Sequence, residues 1–108
     1  MKKITALKSF YQDFMKEQSE PDRKKIRRVL SLMETDDRMP SHFIKHVRNG
    51  IYEIRISIID KEARLMFFYD GPQLVVICNC FIKKTQKTPE AVIDKAERLR
   101  KEYYDGRK

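Results

Sequence analysis

The sequence contains little glycine, no tryptophan and no long apolar run. Its 108 residues include three Gly, four Pro and two Cys. The longest apolar runs, such as residues 74–78, have the length of a strand, whereas a membrane helix needs about 20 apolar residues. No apolar core or cleavage site follows the basic amino terminus, so we expect no secretory signal. The chain also lacks a glycine-rich phosphate loop and a nucleophile elbow, which argues against enzymes built around those motifs.

The two cysteines lie two residues apart in one predicted strand. Their Cα atoms would be about 6.6 Å apart, and two residues of one strand make a poor disulfide pair. We therefore expect Cys78 and Cys80 to be free thiols in a reducing cytoplasm. With His42 and His46 they would make a zinc set, but Cys-x-Cys is tighter than the usual zinc spacing. Core cysteines and surface histidines are the favoured interpretation, and we expect no metal or cofactor.

Positive charge dominates what is present. Lys and Arg number 24 against 16 Asp and Glu, which gives a formal net charge of +8. This balance points to an anionic partner, which can be a nucleic acid, an acidic protein or a membrane surface. Apolar residues make up 41% of the chain, enough for one small core, so we expect a single domain over residues 1–108.

The first third of the chain has the apolar spacing of two helices. Residues 4–18 place apolar side chains at intervals of three and four, which predicts one amphipathic helix. Ser19 then has the type and place of an N-cap, with Asp22 three residues on. A second helix should run from there to about Glu34. Its buried stripe consists of Ile26, Val29, Leu30 and Met33. The two stripes predict a helical hairpin that packs on another layer.

After residue 43 the pattern changes to that of a sheet. Asn49-Gly50 is a hairpin-turn signal. The strands are predicted over residues 51–59, 63–69 and 74–82. Three hairpin-linked strands make an antiparallel meander, and residues 43–47 can add a short fourth strand. The last strand is nearly all apolar, which suits a central strand covered on both faces.

The carboxy-terminal part has the signals of one more helix. Thr88 is the predicted N-cap, with Pro89 at the first helical position and Glu90 at the positive helix end. The inner stripe consists of Val92, Ala96, Leu99 and Tyr103. The expected fold is therefore α+β, with two amino-terminal helices and a carboxy-terminal helix packed on a small antiparallel sheet of three to four strands.

The segment between the last strand and the last helix carries three lysines and no acid. Residues 83–88 read Lys-Lys-Thr-Gln-Lys-Thr, and cations beside a helix start can hold a phosphate. Arg55 and Arg64 lie on the polar faces of neighbouring strands, where cationic side chains are depleted. Two other interpretations stay open. The lysine segment can be a solvated loop, and Arg55 can simply pair with Glu53 or another acid.

Three stretches of the sequence resemble one protein family. They read Asn-Gly-Ile-Tyr-Glu-Ile-Arg at 49–55, Ala-Arg-Leu-Met-Phe-Phe at 63–68 and Phe-Ile-Lys-Lys-Thr-Gln-Lys-Thr-Pro at 81–89. In this order and spacing they resemble the HigB-type, phage-related toxins of the RelE/ParE superfamily, from bacterial type II toxin–antitoxin pairs. The resemblance covers about residues 43–104, and its third stretch is the most specific. Two amphipathic helices ahead of it are also a feature of that family.

The resemblance implies a small cytoplasmic endoribonuclease that enters the ribosomal A site and cuts mRNA there without a metal. The ribose 2′-OH attacks the adjacent phosphate and leaves a cyclic phosphate and a free 5′-OH. Arg64 matches the family's strand arginine that stabilises phosphate charge, and Lys83 and Lys84 match its paired lysines. Arg55 stands where RelE-type toxins have a lysine. These four residues are the predicted catalytic set and should converge over one face of the sheet. Three further cations are predicted RNA contacts: Lys45, Arg48 and Lys87.

The chain departs from the RelE-type pattern at residues that could move protons. Glu53 stands where those relatives have another lysine, although a glutamate is usual in the HigB-type branch. Val92 and Ile93 occupy the place of an early helix tyrosine, and Asn79 stands near Phe81 where a histidine would be found. The resemblance therefore assigns neither the general base nor the general acid.

The resemblance also implies a helix-turn-helix antitoxin (HigA-like) as partner, acidic where it meets the toxin, together with the ribosome and its mRNA. The same superfamily contains ParE-type proteins, which inhibit DNA gyrase and cut nothing, so fold alone does not decide the function. The alternative hypotheses are a non-catalytic binding module and an inactive toxin homologue. Replacing Arg64 or Lys84 by Ala should abolish growth arrest by a nuclease, whereas a binding module should only bind more weakly, in a salt-dependent way.

Overall fold

The computed structural model describes residues 2–35, 41–84 and 87–106, which form a mixed sheet with helices on both faces. The strands are β1 (Lys3–Ala6), β2 (Ile44–Arg48), β3 (Ile51–Ile58), β4 (Lys61–Asp70) and β5 (Leu74–Lys83). The helices are α1 (Phe10–Lys16), α2 (Glu20–Thr35) and α3 (Glu90–Asp105), and a short 3-10 helix spans Ser41–Phe43. The predicted α+β class is confirmed. Within the described ranges, no helix is both long and apolar enough to cross a membrane.

The sheet has five strands, in the order β1-β5-β4-β3-β2, rather than the predicted three to four. β2, β3, β4 and β5 pair antiparallel in sequence, which confirms the meander and the short strand before it. β1 pairs parallel with β5, from Lys3 opposite Leu74 to Ala6 opposite Ile77. The sheet is therefore mixed, with one parallel pair at an edge.

The single helix predicted over residues 4–18 is wrong. Its first part is β1, and only Phe10–Lys16 is helical. Lys8 has a φ of 53°, which an α-helix does not permit, and the N–H of Leu7 donates to the carbonyl of Ile77 at 2.9 Å. Apolar residues at helical spacing thus serve two elements, because Ile4 of the strand and Phe14 of the helix face the same core.

Two apolar layers hold the helices on opposite faces of the sheet. On one face, α1 and α2 bury Phe14, Met15, Ile26, Val29, Leu30 and Met33 against β3, β4 and β5. On the other face, α3 buries Ile93, Ala96 and Leu99 against Ile51, Met66, Phe68, Val76 and Cys78. β4 and β5 contribute side chains to both layers, which confirms the prediction that the last strand is covered on both faces.

The predicted hairpin turn and the predicted cap of the second helix are both confirmed. Asn49 and Gly50 have φ values of 47° and 79°, the two positive angles that a tight two-residue hairpin turn requires. Ser19 caps α2, because its Oγ accepts a hydrogen bond from the N–H of Asp22 at 3.3 Å.

The predicted N-cap of the last helix is wrong by one residue. Pro89 stands at the N-cap position, and its carbonyl accepts from the N–H of Val92 at 3.0 Å. The hydroxyl of Thr88 turns towards the sheet and donates to the carboxylate of Glu53 at 2.7 Å. A charged acceptor forms the stronger hydrogen bond, which explains why Thr88 faces the sheet and not the helix start.

Candidate functional site

The face of the sheet that carries α3 is only partly covered by that helix. Beyond the start of α3 this face opens into a cleft of about 260 Å³. We call it the basic cleft. Its charged and hydroxyl-bearing lining residues are Lys45, Glu53, Arg55, Arg64, Lys83, Lys87, Thr88 and Glu90. The site therefore draws on β2, β3, β4, β5 and the segment that enters α3.

Strand register brings charged residues of three strands onto this face. Arg55 of β3 lies opposite Arg64 of β4, and Glu62 of β4 lies opposite Lys83 of β5. Directly paired residues share a face of the sheet, as do residues two apart in one strand, such as Glu53 and Arg55. Three of the four predicted catalytic residues thus meet in the basic cleft: Arg55, Arg64 and Lys83.

Glu53 is the buried centre of the cleft wall, with 1% of its surface exposed. Its carboxylate accepts from Nη1 of Arg64 at 2.5 Å, from Oγ1 of Thr88 at 2.7 Å and from Nε of Arg55 at 3.3 Å. A carboxylate removed from water needs such partners, because an unpaired buried charge is strongly unfavourable. The interpretation in which Arg55 pairs with Glu53 is confirmed.

Arg64 is fixed between two carboxylates and is 4% exposed. Besides its bond to Glu53, its Nε donates to Glu62 at 2.5 Å, and its Nη2 forms an ion pair with the same carboxylate. A guanidinium held at two edges presents its remaining donors in a fixed direction. Arg64 is therefore a rigid part of the wall, whereas the Arg55 side chain, at 35% exposure, is the more accessible arginine.

Three lysines surround these paired charges and give the basic cleft its excess of positive charge. Lys45 of β2 and Lys87 ahead of α3 are exposed, and Lys83 at the end of β5 is partly exposed. The acid at the rim, Glu90, already accepts a hydrogen bond from Arg48 at 2.5 Å. An anion entering the cleft would therefore meet cations from several directions, since Glu53 and Glu90 are each already bonded to arginines.

Lys84 lies outside the basic cleft. It lines a separate pocket together with Asp13 of α1, Glu17 directly after α1 and Lys95 of α3. The four predicted catalytic residues were expected to converge on one face. Arg55, Arg64 and Lys83 do so, and Lys84 does not. Residues 85 and 86, which belong to the same lysine segment, lie outside the described residues.

Arg48 connects β2 to α3. Its guanidinium donates to Glu97 and to Glu90, each at 2.5 Å, and it forms an ion pair with Asp94. These hydrogen bonds, the one to Glu97 above all, hold the pKa of Arg48 above its ordinary value. Arg48 thus connects β2 to α3. Of the three predicted RNA contacts, Lys45 and Lys87 line the basic cleft.

The histidines and cysteines are not gathered into one site. Cys78 packs in the layer under α3, whereas Cys80 packs against the layer under α1 and α2. Both thiols are free, and burial raises the pKa of each to about 12. The ring of His46 contacts Tyr52, with centroids 4.9 Å apart. Across the described part of the chain, no group of three or more His, Cys, Asp or Glu side chains could hold a metal.

Sequence reasoning missed two residues of this site. Glu62 precedes Arg64 by two, and the same spacing separates Glu53 from Arg55. This repeated Glu-x-Arg pattern on adjacent strands was the available signal for paired charges. Thr88 was predicted to be a helix cap, and its hydrogen bond to Glu53 joins residues 35 positions apart that only the fold brings together.

A known protein family matches most of the chain. The family described as phage-derived protein Gp49-like (DUF891) matches residues 13–101. That range contains every residue that lines the basic cleft. No curated protein matches the chain.

Proposed function

The chain belongs to the Gp49-like family of phage-derived proteins, a family of RelE/HigB-like toxins, and we propose that it is a HigB-type toxin. Its proposed activity is ribosome-dependent cleavage of mRNA, which inhibits translation and growth. The observation that carries this proposal is the basic cleft, where Arg55 and Arg64 bond to one buried carboxylate and Lys83 lines the same cleft.

A phosphodiester is the ligand that suits this cleft. In the proposed reaction the ribose 2′-oxygen bonds to phosphorus and the bond from phosphorus to the 5′-oxygen breaks. The products are a 2′,3′-cyclic phosphate and a free 5′-OH. The phosphorane formed on the way carries more negative charge than the substrate, and donors fixed in advance stabilise it selectively. Arg64 supplies such a fixed donor, and Arg55 and Lys83 bring two further positive charges.

The reaction also requires that one proton leave the 2′-OH and that another reach the 5′-oxygen. Glu53 accepts three hydrogen bonds and Glu90 is engaged by Arg48, so neither carboxylate is well placed for this work. A lysine ammonium is a proton donor, and register places Lys83 beside the Arg64 pairing network. Lys83 is therefore the proposed donor to the leaving 5′-oxygen.

Primer extension on a defined mRNA, with and without programmed ribosomes, tests the activity. The wild-type protein should give codon-phased cuts only when ribosomes are present. Arg55→Ala and Lys83→Ala should each reduce cutting by about 100-fold, the usual effect of removing one donor from a charge-stabilising site. Lys101→Ala is the matched control, because it removes an exposed lysine outside the cleft and should cut like the wild type.

Arg64→Ala is a less suitable variant than the sequence suggested. It would leave Glu53 buried without its nearest cation, and breaking a buried ion pair costs about 3–5 kcal/mol. Uncut mRNA from folded wild-type protein, free of any antitoxin, would refute the nuclease. Inhibition of DNA gyrase by the same preparation would then favour the binding module, with the basic cleft as its anion-binding surface.

The proposed partners are a helix-turn-helix antitoxin and the ribosome with its mRNA, in the cytoplasm. A chain with a net charge of +8 should meet an acidic surface on the antitoxin. Association of the two proteins should then slow as salt is raised, because screening weakens long-range attraction between opposite charges. Stopped-flow association rates over a salt series would measure this, and a rate independent of salt would contradict it.

A further inference from the structure

A larger depression lies beside the basic cleft, between α2 and the outer edge of β3. It encloses about 750 Å³, and Arg55 lines both it and the cleft. β2 pairs with β3 only from Ile51 to Ile54, so the rest of β3 forms the outer edge of the sheet here. We call this depression the α2 groove. The residues used to define it are Lys24, Lys25, Arg28, His42, Phe43 and Arg55.

The α2 side of the groove carries cations that have no acidic partner in the described part of the chain. Lys24, Lys25 and Arg28 form no ion pair with any described residue, whereas the arginines of α2 that lie outside the groove both pair with Glu20. The acid in the groove lining, Glu62, is held by the guanidinium of Arg64. Positive charge left uncompensated along a helix face favours a polyanion over a single small anion.

The opposite side of the groove offers rings and apolar surface. The rings of His42 and Phe43 lie with their centroids 4.2 Å apart, and His42 is exposed. Leu32 of α2, on the side of the groove that carries the cations, adds a large apolar side chain that is 36% exposed. Rings beside a row of cations are typical of surfaces that bind single-stranded nucleic acid, where bases stack while the backbone follows the charges. A duplex keeps its bases inside, and an acidic peptide has no bases to stack.

We propose that the α2 groove binds the stretch of single-stranded RNA that continues from the phosphate held in the basic cleft. Lys24, Lys25 and Arg28 contact the backbone, His42 contacts a base, and Arg55 stands where the two sites join. This inference rests on the proposed function, since it assigns the path of the same substrate strand.

Fluorescence anisotropy with 2′-O-methyl RNA oligonucleotides, which lack the attacking hydroxyl, tests the groove without cleavage. An oligonucleotide of about ten nucleotides should bind more tightly than one of about four, since only the longer one extends along the groove. The double variant Lys25→Ala/Arg28→Ala should lose this gain. For this variant, the slope of log affinity against log salt concentration should be shallower than for the wild type, by about 0.7 for each phosphate contact that is lost.

The base contact is tested by a second variant. His42→Ala should weaken binding of the longer oligonucleotide by about 5-fold or more, with the salt dependence unchanged, because stacking releases no counterions. A duplex of equal length should show no effect of this substitution. Lys101→Ala is again the matched control and should bind as the wild type does.

The outcomes separate this inference from the proposed activity. If Arg55→Ala and Lys83→Ala stop cleavage while the double variant binds both oligonucleotides like the wild type, the groove is not the RNA path although the nuclease stands. If polyglutamate competes as well as RNA and His42→Ala changes nothing, the groove is a general polyanion surface and the inference is wrong. If the variants behave as expected but no mRNA is cut, the groove binds RNA and the nuclease fails.

Discussion

Replacing Arg64 by alanine measures how much its ion pair with Glu53 contributes to the free energy of unfolding. Both side chains are almost fully buried, at 4% and 1% exposure, and their charged atoms are 2.5 Å apart. Removing one partner of such a pair costs about 3–5 kcal/mol. Glu53 keeps its bonds to Thr88 and Arg55 in this variant, so we expect the lower end, about 3 kcal/mol. Arg55→Ala, at a more exposed position, should cost about 1 kcal/mol or less.

A double-mutant cycle isolates the pair. Urea unfolding of Arg64→Met, Glu53→Leu and the double variant, followed by circular dichroism, gives the three free energies of unfolding. The double variant should cost about 2 kcal/mol less than the sum of the single costs, because each single variant leaves one buried charge without the opposite charge of the pair, whereas the double variant leaves neither. Costs that add to within about 0.5 kcal/mol would refute the coupling, and with it the assignment of Glu53 as the residue that fixes Arg64.

Three further predictions concern stability. Burial raises the pKa of Cys78 to about 12. The folded state therefore favours the neutral thiol, and this contribution to the free energy of unfolding is complete below the pKa of the unfolded thiol and is lost as the pH rises towards 12. The free energy of unfolding, measured with urea, should therefore fall more steeply above pH 9 for the wild type than for Cys78→Ala, by up to about 1.4 kcal/mol per pH unit. Ser19→Ala should cost about 1 kcal/mol through the lost cap on α2, whereas the exposed Ser9→Ala should stay within about 0.5 kcal/mol, and equal costs would contradict the cap. Arg48→Ala should lower the thermal midpoint by leaving three carboxylates together, and salt of about 1 M should shrink the loss; a loss that salt leaves unchanged would contradict this.

The parts of the fold that local pattern controls were predictable. The stripe of α2 and its Ser19 cap depend on residues within two turns of one another, and the Asn49-Gly50 hairpin depends on two residues. β1 was not predictable in the same way, because its partner β5 lies about 70 residues further along the chain. Its apolar side chains continue the spacing of α1, so the pattern contains no break, although the chain turns between the two elements, where Lys8 has a positive φ.

The candidate site was predictable in composition and less so in geometry. The register that brings Arg55 opposite Arg64 follows from a hairpin turn that the sequence contains, whereas Lys83 comes opposite Glu62 only after an irregularity in the β4–β5 pairing. The register of β4 and β5 shifts by one residue between Leu65 and Phe67, so the alternation along β5 changes after Cys78. Alternation alone would have placed Lys84 on that face instead of Lys83. The burial of Glu53 had no local signal, because a polar face of a strand becomes buried only when a distant segment packs over it.

Glu53 links the stability of the site to its charge. Five cationic side chains line a cleft of about 260 Å³ and would repel one another without a counter-charge among them. One buried carboxylate bonds two of them, and through Thr88 it also fixes the segment that carries Lys87 into α3. The same residue thus sets the position of the two strand arginines relative to Lys87, the cleft lysine outside the sheet. Because Glu53 and Thr88 already hold these cationic side chains in position, the binding of an anion would not have to order them.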